Sequence, residues 1–483
     1  MSNIAGFDLT PALPELLLFV AGLGLLVVGA FKDEDGPRIV NLLAVIALIT
    51  AAILSIGVGR GTTHAFGMEF VHDRYAAFLK VLIYLGAAAS IALAVAFMRD
   101  ERLERFEYPV LAVFASLGMG MMVSANSLLS LYMALERQSL SLYVMASFDR
   151  DSARASEAGL KYFILGALAS GMLLYGCSLI YGCTGSLRFD VLAQQLAAPG
   201  TALPAGAVVG IVFLLAGLAF KLAAVPFHMW TPDVYEGAPT PITAFIAAAP
   251  KVAAVGLTVR VLMQPFGDQV AAWQQVVVVV ALGSMILGSF AAIGQSNIKR
   301  LMAYSSIGNI GYALIGLAAG TEKGAHAVLV YMAIYLAMTL GAFACILMMR
   351  RQGAYVERID DLAGLSNRQP MMALAMGIFM FSLAGIPPLA GFFSKLYVFW
   401  AALDAGLVTL AVLGVLASVV GAYYYLRIVK LMYFDEPVEA FDGSPHPALS
   451  GVAFVTAVFV AFFIVVPGPL LSAAAGAAAS LMR

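Results

Sequence analysis

"FLLAGLAFKLAAVPFHMWTPDVYEGAPTP" (213–241) sets a lysine, Lys221, in the middle of an apolar run, with Pro226 and His228 close behind it. If the run crosses a membrane, a buried ammonium and a broken helix lie together near the bilayer centre. Both are costly there: an ionised side chain at that depth costs at least about 2.5–3.5 kcal/mol. A proline also removes a backbone donor and clashes with the preceding turn.

The rest of the chain says that the run does cross. Of 483 residues 62% are hydrophobic and 11% charged, and the mean hydropathy is +0.93. Soluble domains are about 45–50% apolar and about 25% charged. The expected class is therefore an all-α polytopic membrane protein. The net charge of −1 and the lack of a basic tail give no footing for nucleic acid. Cys177, Cys183 and Cys345 lie in apolar runs as small hydrophobes, and no Cys/His spacing suggests a metal site. The opening "MSNIAGFDLTPALPELLLFV" lacks a basic n-region and a cleavage site, so it reads as a first span.

Fourteen runs are long enough to be transmembrane helices. They lie near 12–31, 39–59, 76–98, 109–125, 127–147, 160–182, 205–225, 241–260, 273–293, 301–319, 325–349, 371–400, 404–427 and 449–472. The mixed stretch 186–198 is expected to be a short amphipathic surface helix. Placing the N-terminus outside puts fifteen of the 27 Lys and Arg in cytoplasmic connections and seven on the outer side, Lys80 and Arg260 among the seven. The positive-inside bias supports that orientation, with both termini periplasmic in a bacterial inner membrane. The five remaining cations are Arg137, Lys161, Lys221, Lys251 and Lys395.

A second run, "FSLAGIPPLAGFFSKLYVFW" (381–400), also carries breakers, Gly385, Pro387 and Pro388. The two broken spans are the seventh and the twelfth. An odd offset of five reverses direction through the bilayer, which is the pattern of two inverted five-helix repeats, spans 4–8 and 9–13. The expected organisation is residues 1–108 as three N-terminal helices, 109–268 and 269–434 as the repeats, and 435–483 as a last helix.

Lys221 and Lys251 lie too far from a span end to snorkel easily; Lys395 follows a break, and Lys161 lies near a span start. Burial disfavours the charged form of a lysine, so such lysines suit proton exchange. Glu136, in "SLLSLYMALERQSLSLYVMAS" (127–147), is the one acid deep in a span on this reading. Moved towards or away from a lysine, it is an electrostatic switch. His228 follows Lys221 by seven residues, near one face of a regular helix, and an imidazole can pass a proton.

"LAFKLAAVPFHMWTPDVYEGAPTPITAFIAAAPKVAA" (218–254), "SEAGLKYFILGALASG" (156–171) and "GIPPLAGFFSKLYVF" (385–399) resemble the signatures of the antiporter-like membrane subunits of respiratory complex I, the bacterial NADH:quinone oxidoreductase. The resemblance runs from the first span to the fourteenth. Within the family it is to the N type, because the M type places a glutamate where Lys395 stands and the L type continues into a lateral helix. The resemblance implies a proton-translocating subunit. Glu136 would be the acid of the fifth span and Lys221 its partner, Lys251 the central relay lysine and Lys395 the terminal one. Lys161 would modulate the pair, and His228 would lie on the proton path. It further implies no cofactor in this chain, with NADH, FMN, iron–sulfur clusters and quinone in other subunits. The implied partners are other membrane subunits, antiporter-like ones included, and membrane lipid. The alternatives are a subunit of a multi-subunit cation/proton antiporter, which shares this fold, and a scaffold without transport. One position departs from the family: Arg137 stands where an apolar residue usually follows the acid. It cannot discard its charge. Turned to Glu136 it would compete with Lys221; turned outward it would meet a carboxylate of a neighbouring subunit.

Overall fold

Apolar runs in lipid must satisfy their own backbone, so they become helices. The computed structural model describes residues 8–32, 36–58, 61–196, 203–443 and 445–482. Its helices are α1 (Leu13–Phe31), α2 (Gly36–Gly57), α3 (Arg74–Asp100), α4 (Glu107–Val123), α5 (Leu128–Ala146), α6 (Ala153–Thr184), α7 (Phe189–Leu196), α8 (Ala205–Leu222), α9 (Trp230–Gly237) and α10 (Thr240–Ala247). They continue as α11 (Ala249–Met263), α12 (Val270–Ile293), α13 (Ile298–Ala318), α14 (Glu322–Ile346), α15 (Leu365–Arg368), α16 (Pro370–Ala384), α17 (Ala390–Asp404), α18 (Val408–Phe434), α19 (Pro447–Phe462) and α20 (Gly468–Leu481). Among the described residues ten helical segments are long and apolar enough to cross a membrane, and α4, α16, α19 and α20 are shorter apolar helices.

Helix occurs in each of the fourteen expected stretches, but the eighth, twelfth and fourteenth are each divided in two, and in the seventh α8 stops at Leu222, short of Pro226. The last division differs from the single span expected over 449–472. Pro467 and Pro469 lie where α19 would continue, and the chain restarts as α20 with Pro469 in its first turn. The amphipathic stretch forms α7; residues 197 and 198 of it lie outside the described residues, as do Arg60 and Arg483 of the charge count.

Starts are set by polar caps. Asp73, Ser127, Ser152, Asn297 and Thr321 each accept a backbone N–H from the first turn of α3, α5, α6, α13 and α14. Close helix pairs rely on glycine. A Cβ on Gly176 of α6 would lie 2.6 Å from the Gly210 carbonyl oxygen of α8, and one on Gly288 of α12 would lie 2.6 Å from the Gly308 nitrogen of α13.

Two small hairpins escape the apolar pattern: β1 (Thr63–Ala65) with β2 (Phe70–His72), and β3 (Arg350–Arg351) with β4 (Ala354–Tyr355). Short backbone pairings also clamp the starts of α5 and α13. Leu128 N donates to Leu187 O (2.9 Å) and Phe189 N to Asn126 O (3.0 Å); Ile298 N donates to Glu357 O (2.8 Å) and Ile359 N to Ser296 O (2.9 Å). The centre of the bundle is α10, α11, α13 and α14, whose apolar windows are nearly or wholly buried, whereas α1, α2, α6, α12 and α18 present much of their surface outward. Of the buried lysines, Lys251 and Lys299 are on these helices, and Lys80, Lys221 and Lys395 are on α3, α8 and α17, which pack against them.

Two cations assigned to the outer side from sequence are not there. Lys80 and Arg260 are wholly buried. Each lies within a helix and has an acid to meet. Lys80 pairs with Glu15 of α1 at 2.9 Å, and Arg260 with Asp73 at 2.8 Å. Glu15 also corrects the expectation that Glu136 is the one buried acid: it is 5% exposed.

Candidate functional site

Both broken helices end in the same local turn. After α8, Ala223 takes a left-handed conformation (φ 59°) and Ala224 N–H reaches back to Ala219 O at 2.8 Å. After α16, Gly385 does so (φ 87°) and Ile386 N–H reaches Phe381 O at 3.1 Å. These are six-to-one closures of the Schellman type. Glycine adopts this conformation freely, whereas alanine accepts a cost of about 1–2 kcal/mol. The proline follows three residues later in each case, through a cis bond at Val225–Pro226 and at Pro387–Pro388.

Such an end leaves helix carbonyls in need of donors. Lys251 Nζ donates to Leu222 O at 2.9 Å, and Trp230 Nε1 to Phe220 O at 2.9 Å. Lys395 Nζ donates to Leu383 O and Ala384 O, both at 3.0 Å, and to Ser418 Oγ at 2.8 Å. The two ammonium groups thus sit on the negative ends of two half-helices, where the peptide dipoles favour a cation. They also lie over aromatic rings, Lys251 5.1 Å from Trp230 and Lys395 4.7 Å from Tyr312.

Lys221, one residue before the end of α8, turns the other way. Its ammonium donates to Ser139 Oγ at 2.6 Å and Tyr143 OH at 3.0 Å. Glu136, one turn before Ser139 on α5, accepts instead from Ser170 Oγ on α6. Among the described residues no carboxylate lies within 4.0 Å of the Lys221 ammonium. The acid and the lysine expected to be partners are near neighbours with Ser139 between them, not an ion pair.

A cavity of about 10 Å³ lies between Lys221 and Lys251, walled by Gln138, Ser139, Tyr162 and Trp230. That is room for about one water molecule. Beyond Lys251 a line of hydroxyl and amide groups continues along α13 towards Lys395. Tyr335 OH lies 3.3 Å from Ala247 O and donates to Ser306 Oγ at 2.9 Å. Tyr331 OH donates to Asn309 Oδ1 at 2.7 Å, and Asn309 Nδ2 to Ser305 O at 2.8 Å. Ser305 Oγ and Tyr425 OH are hydrogen-bonded. None of these groups stood out in the sequence. Their one signal there is the i, i+3 and i+4 spacing of Ser305, Ser306 and Asn309 on a single apolar helix.

Three expected residues lie apart from this line. Lys161 is half-exposed near the start of α6 and pairs with Glu157 and Asp233, both at 2.7 Å. Asp233 is shared with Arg300 (2.9 Å), and Arg300 with Glu236 (3.0 Å), forming an ionic cluster where α6, α9 and α13 meet. Lys299 and Glu357 stand beside it at 2.6 Å. Burial pushes the Glu357 carboxyl up, but Lys299, Asn297 and Arg154 together outweigh this and hold it below its usual range. His228 is half-buried in the link after Pro226, and its Nδ1 has no partner. The helix ends at Leu222, so the seven-residue spacing does not put His228 on one face with Lys221. Arg137 turns from Glu136 towards the rings of Phe114 (5.3 Å) and Phe19 (5.8 Å).

A second buried group joins α1 and α3 to α11. Tyr84 OH adds a 2.9 Å hydrogen bond to Glu15, while Arg260 Nε also reaches Val123 O at 2.9 Å. His72, buried at the end of β2, has its imidazole pushed down to about 4, by burial first and then by the Lys80 charge.

The arrangement has known counterparts. Residues 125–421 match the family model described as "NADH:quinone oxidoreductase/Mrp antiporter, TM". The NADH-quinone oxidoreductase subunit N of Parvibaculum lavamentivorans is 58% identical over 477 residues, 98% of each chain. The protein of the same name from Paramagnetospirillum magneticum is 55% identical over 479 residues, again 98% of each. Among solved structures, a chain of respiratory complex I from Thermus thermophilus superposes with a TM-score of 0.83 at 33% identity, covering 96% of this chain and 99% of that one. A chain of the Mrp complex from Dietzia shares the fold, with a TM-score of 0.86 at 24% identity over 99% of this chain and 98% of that one.

Proposed function

The chain belongs to the family of NADH-quinone oxidoreductase N subunits, and we propose that its own part in that enzyme is to move protons through Glu136, Lys221, Lys251 and Lys395. The observation that carries this reading is the placement of two buried ammonium groups on the open ends of two half-helices, with polar groups between them. A lysine there can lose its proton without unfolding anything, because the amine still donates to the same carbonyl.

Coupling follows from electrostatics. Lys221 and Lys251 face one small cavity, and two ammonium groups in a medium of low dielectric repel strongly. Charging one therefore drives the proton from the other. A shift of Glu136 towards Ser139 would draw charge to Lys221 and push the Lys251 proton on towards Lys395. The cavity between the first two lysines has room for the water that would carry the first transfer, and the Ser306–Asn309–Tyr425 line supports the second. Lys161 would act from the ionic cluster on Asp233, tuning the start of α9. His228, with an unpartnered Nδ1, would pass protons between this line and one surface.

The architecture in this reading is fourteen crossings with two inverted repeats, spans 4–8 (109–268) and 9–13 (269–434), between three helices (1–108) and a C-terminal segment (435–483). The backbone clamp at the start of α5 supports it, because the clamp at the start of α13 uses partners each 170 residues further on. The shared Ala223 and Gly385 turns support it as well. Both termini would be periplasmic in a bacterial inner membrane. With Lys80 and Arg260 buried, the cation bias towards the cytoplasmic side is steeper than the sequence count alone. NADH, FMN, iron–sulfur clusters and quinone would be handled by other subunits, with this chain contributing no redox chemistry.

The test is proton translocation per electron in inverted membrane vesicles carrying Lys221→Leu or Lys251→Leu. Loss of pumping with quinone reduction retained or proportionally slowed is the expected result. A normal ratio in both variants would sink the reading.

A further inference from the structure

Arg137 is a charge in the middle of α5 that the proposed relay does not use. It is the tenth of the nineteen residues of that helix, so about 14 Å of helix lies on either side of it. Successive helix residues point about 100° apart, and here they part company: Glu136 meets Ser170 of α6, whereas the Arg137 guanidinium lies by Phe114 and Phe19. Among the described residues no carboxylate lies within 4.0 Å of it, and its buried Nε has no hydrogen-bond partner. A guanidinium keeps its proton in proteins, so it cannot escape the cost of burial by becoming neutral.

Its position on the helix adds a second observation. Leu129, Met133, Leu140 and Val144 of α5 are each more than half exposed, and Arg137 completes their four- and three-residue spacing. The result is an apolar strip with one fixed positive charge at its centre. Lipid phosphates sit at the membrane surface, a half-thickness away from that charge. The geometry points to an interface: we infer that this strip is covered by a transmembrane helix of another membrane subunit, and that this helix presents a carboxylate to Arg137 at mid-membrane depth. The inference rests on the reading of the chain as a subunit of the NADH-quinone oxidoreductase. It gives that reading a contact point, because a partner carboxylate held by Arg137 would sit on the same turn of α5 as Glu136, though on another face.

The test uses the intact enzyme. p-Benzoylphenylalanine is placed at Leu140, and separately at Met133, with Arg137 unchanged; the complex is irradiated in its membrane and the adducts are mapped by mass spectrometry. The expected adducts lie on one transmembrane helix of another subunit that contains an Asp or Glu. R137E should then lower the yield of assembled complex at least tenfold, and replacing the mapped acid by Lys should restore it. Adducts with lipid alone, adducts with a helix lacking an acid, or R137L complex of unchanged yield and pumping would each overturn the inference. Failure of the wild-type tagged chain to co-purify NADH:quinone oxidoreductase activity would instead overturn the reading beneath it.

Discussion

Lys251 Nζ lies 2.9 Å from the carbonyl oxygen of Leu222, the last residue of α8. The lysine and the helix break are thus one device: the break exposes a carbonyl, and the lysine supplies its donor. Arginine at this position could make the same bond but could not release a proton. Lys251→Arg is therefore expected to assemble and keep the break closed, yet to lower coupled proton transfer about a hundredfold, the usual scale for removing an acid–base group. The measurement is NADH-driven acidification of inverted vesicles set against enzyme content; Lys251→Arg vesicles that acidify normally would exclude transfer through this amine.

Lys395 carries more of its local structure than Lys251 does, since it meets both Leu383 O and Ala384 O. Lys395→Met would leave two carbonyls without donors in an apolar setting, at about 1–3 kcal/mol each. The thermal midpoint of the purified complex should fall. Ser418→Ala removes only a neutral acceptor from the same ammonium and should cost about 1 kcal/mol. Equal midpoints for the two variants would mean that the α16 end is closed by something other than Lys395.

Tyr335→Phe and Asn309→Leu probe the line between Lys251 and Lys395. Each keeps most of its packing volume and loses the bond to Ser306 or Ser305. Both should assemble, reduce quinone in uncoupled membranes, and show a lowered proton-to-electron ratio. The ratio should fall further in Asn309→Leu, which also removes the acceptor for Tyr331 OH. Unchanged ratios in both would route the proton elsewhere.

The sequence made the breaks and their lysines legible because proline and lysine both violate the rules of an apolar helix. It did not reveal which way each lysine turns. Lys221 and Lys251 read alike as buried cations, but one reaches α5 side chains and the other a backbone carbonyl, and that depends on helix packing. The Ser305, Ser306 and Asn309 line left only its helical spacing as a signal, and small hydroxyls at that spacing are common in apolar helices. Glu15 and Lys80 mislead for a different reason. Both lie near span ends, where a charge normally reaches water, and only the packing of α1 on α3 closes that route.

The Glu15–Lys80 pair, at 2.9 Å and buried on both sides, should be a stability element. Glu15→Gln leaves the Lys80 ammonium without its counter-charge, and breaking a buried pair in this way costs about 3–5 kcal/mol. The double change Glu15→Leu with Lys80→Met removes both charges and should recover most of that loss. The yield and thermal midpoint of the assembled complex are the readouts. A double variant no more stable than Glu15→Gln would show that the pair acts through something other than charge compensation.

His72 adds a pH dependence to the same region. Its imidazole is pushed down to about 4 by burial, against about 6.5 in an unfolded chain. Between these values the unfolded chain binds a proton that the folded one does not, so stability is full above about pH 6.5 and declines as the pH falls towards 4. The loss should reach about 3 kcal/mol, because each pH step of one between the two values is worth about 1.4 kcal/mol. His72→Gln keeps a polar side chain there without a titrating group. It should flatten the thermal midpoint of the complex between pH 6.5 and about 4.5 relative to the parent. An acid slope equal in parent and variant would assign the sensitivity to other groups and leave His72 neutral for reasons of packing alone.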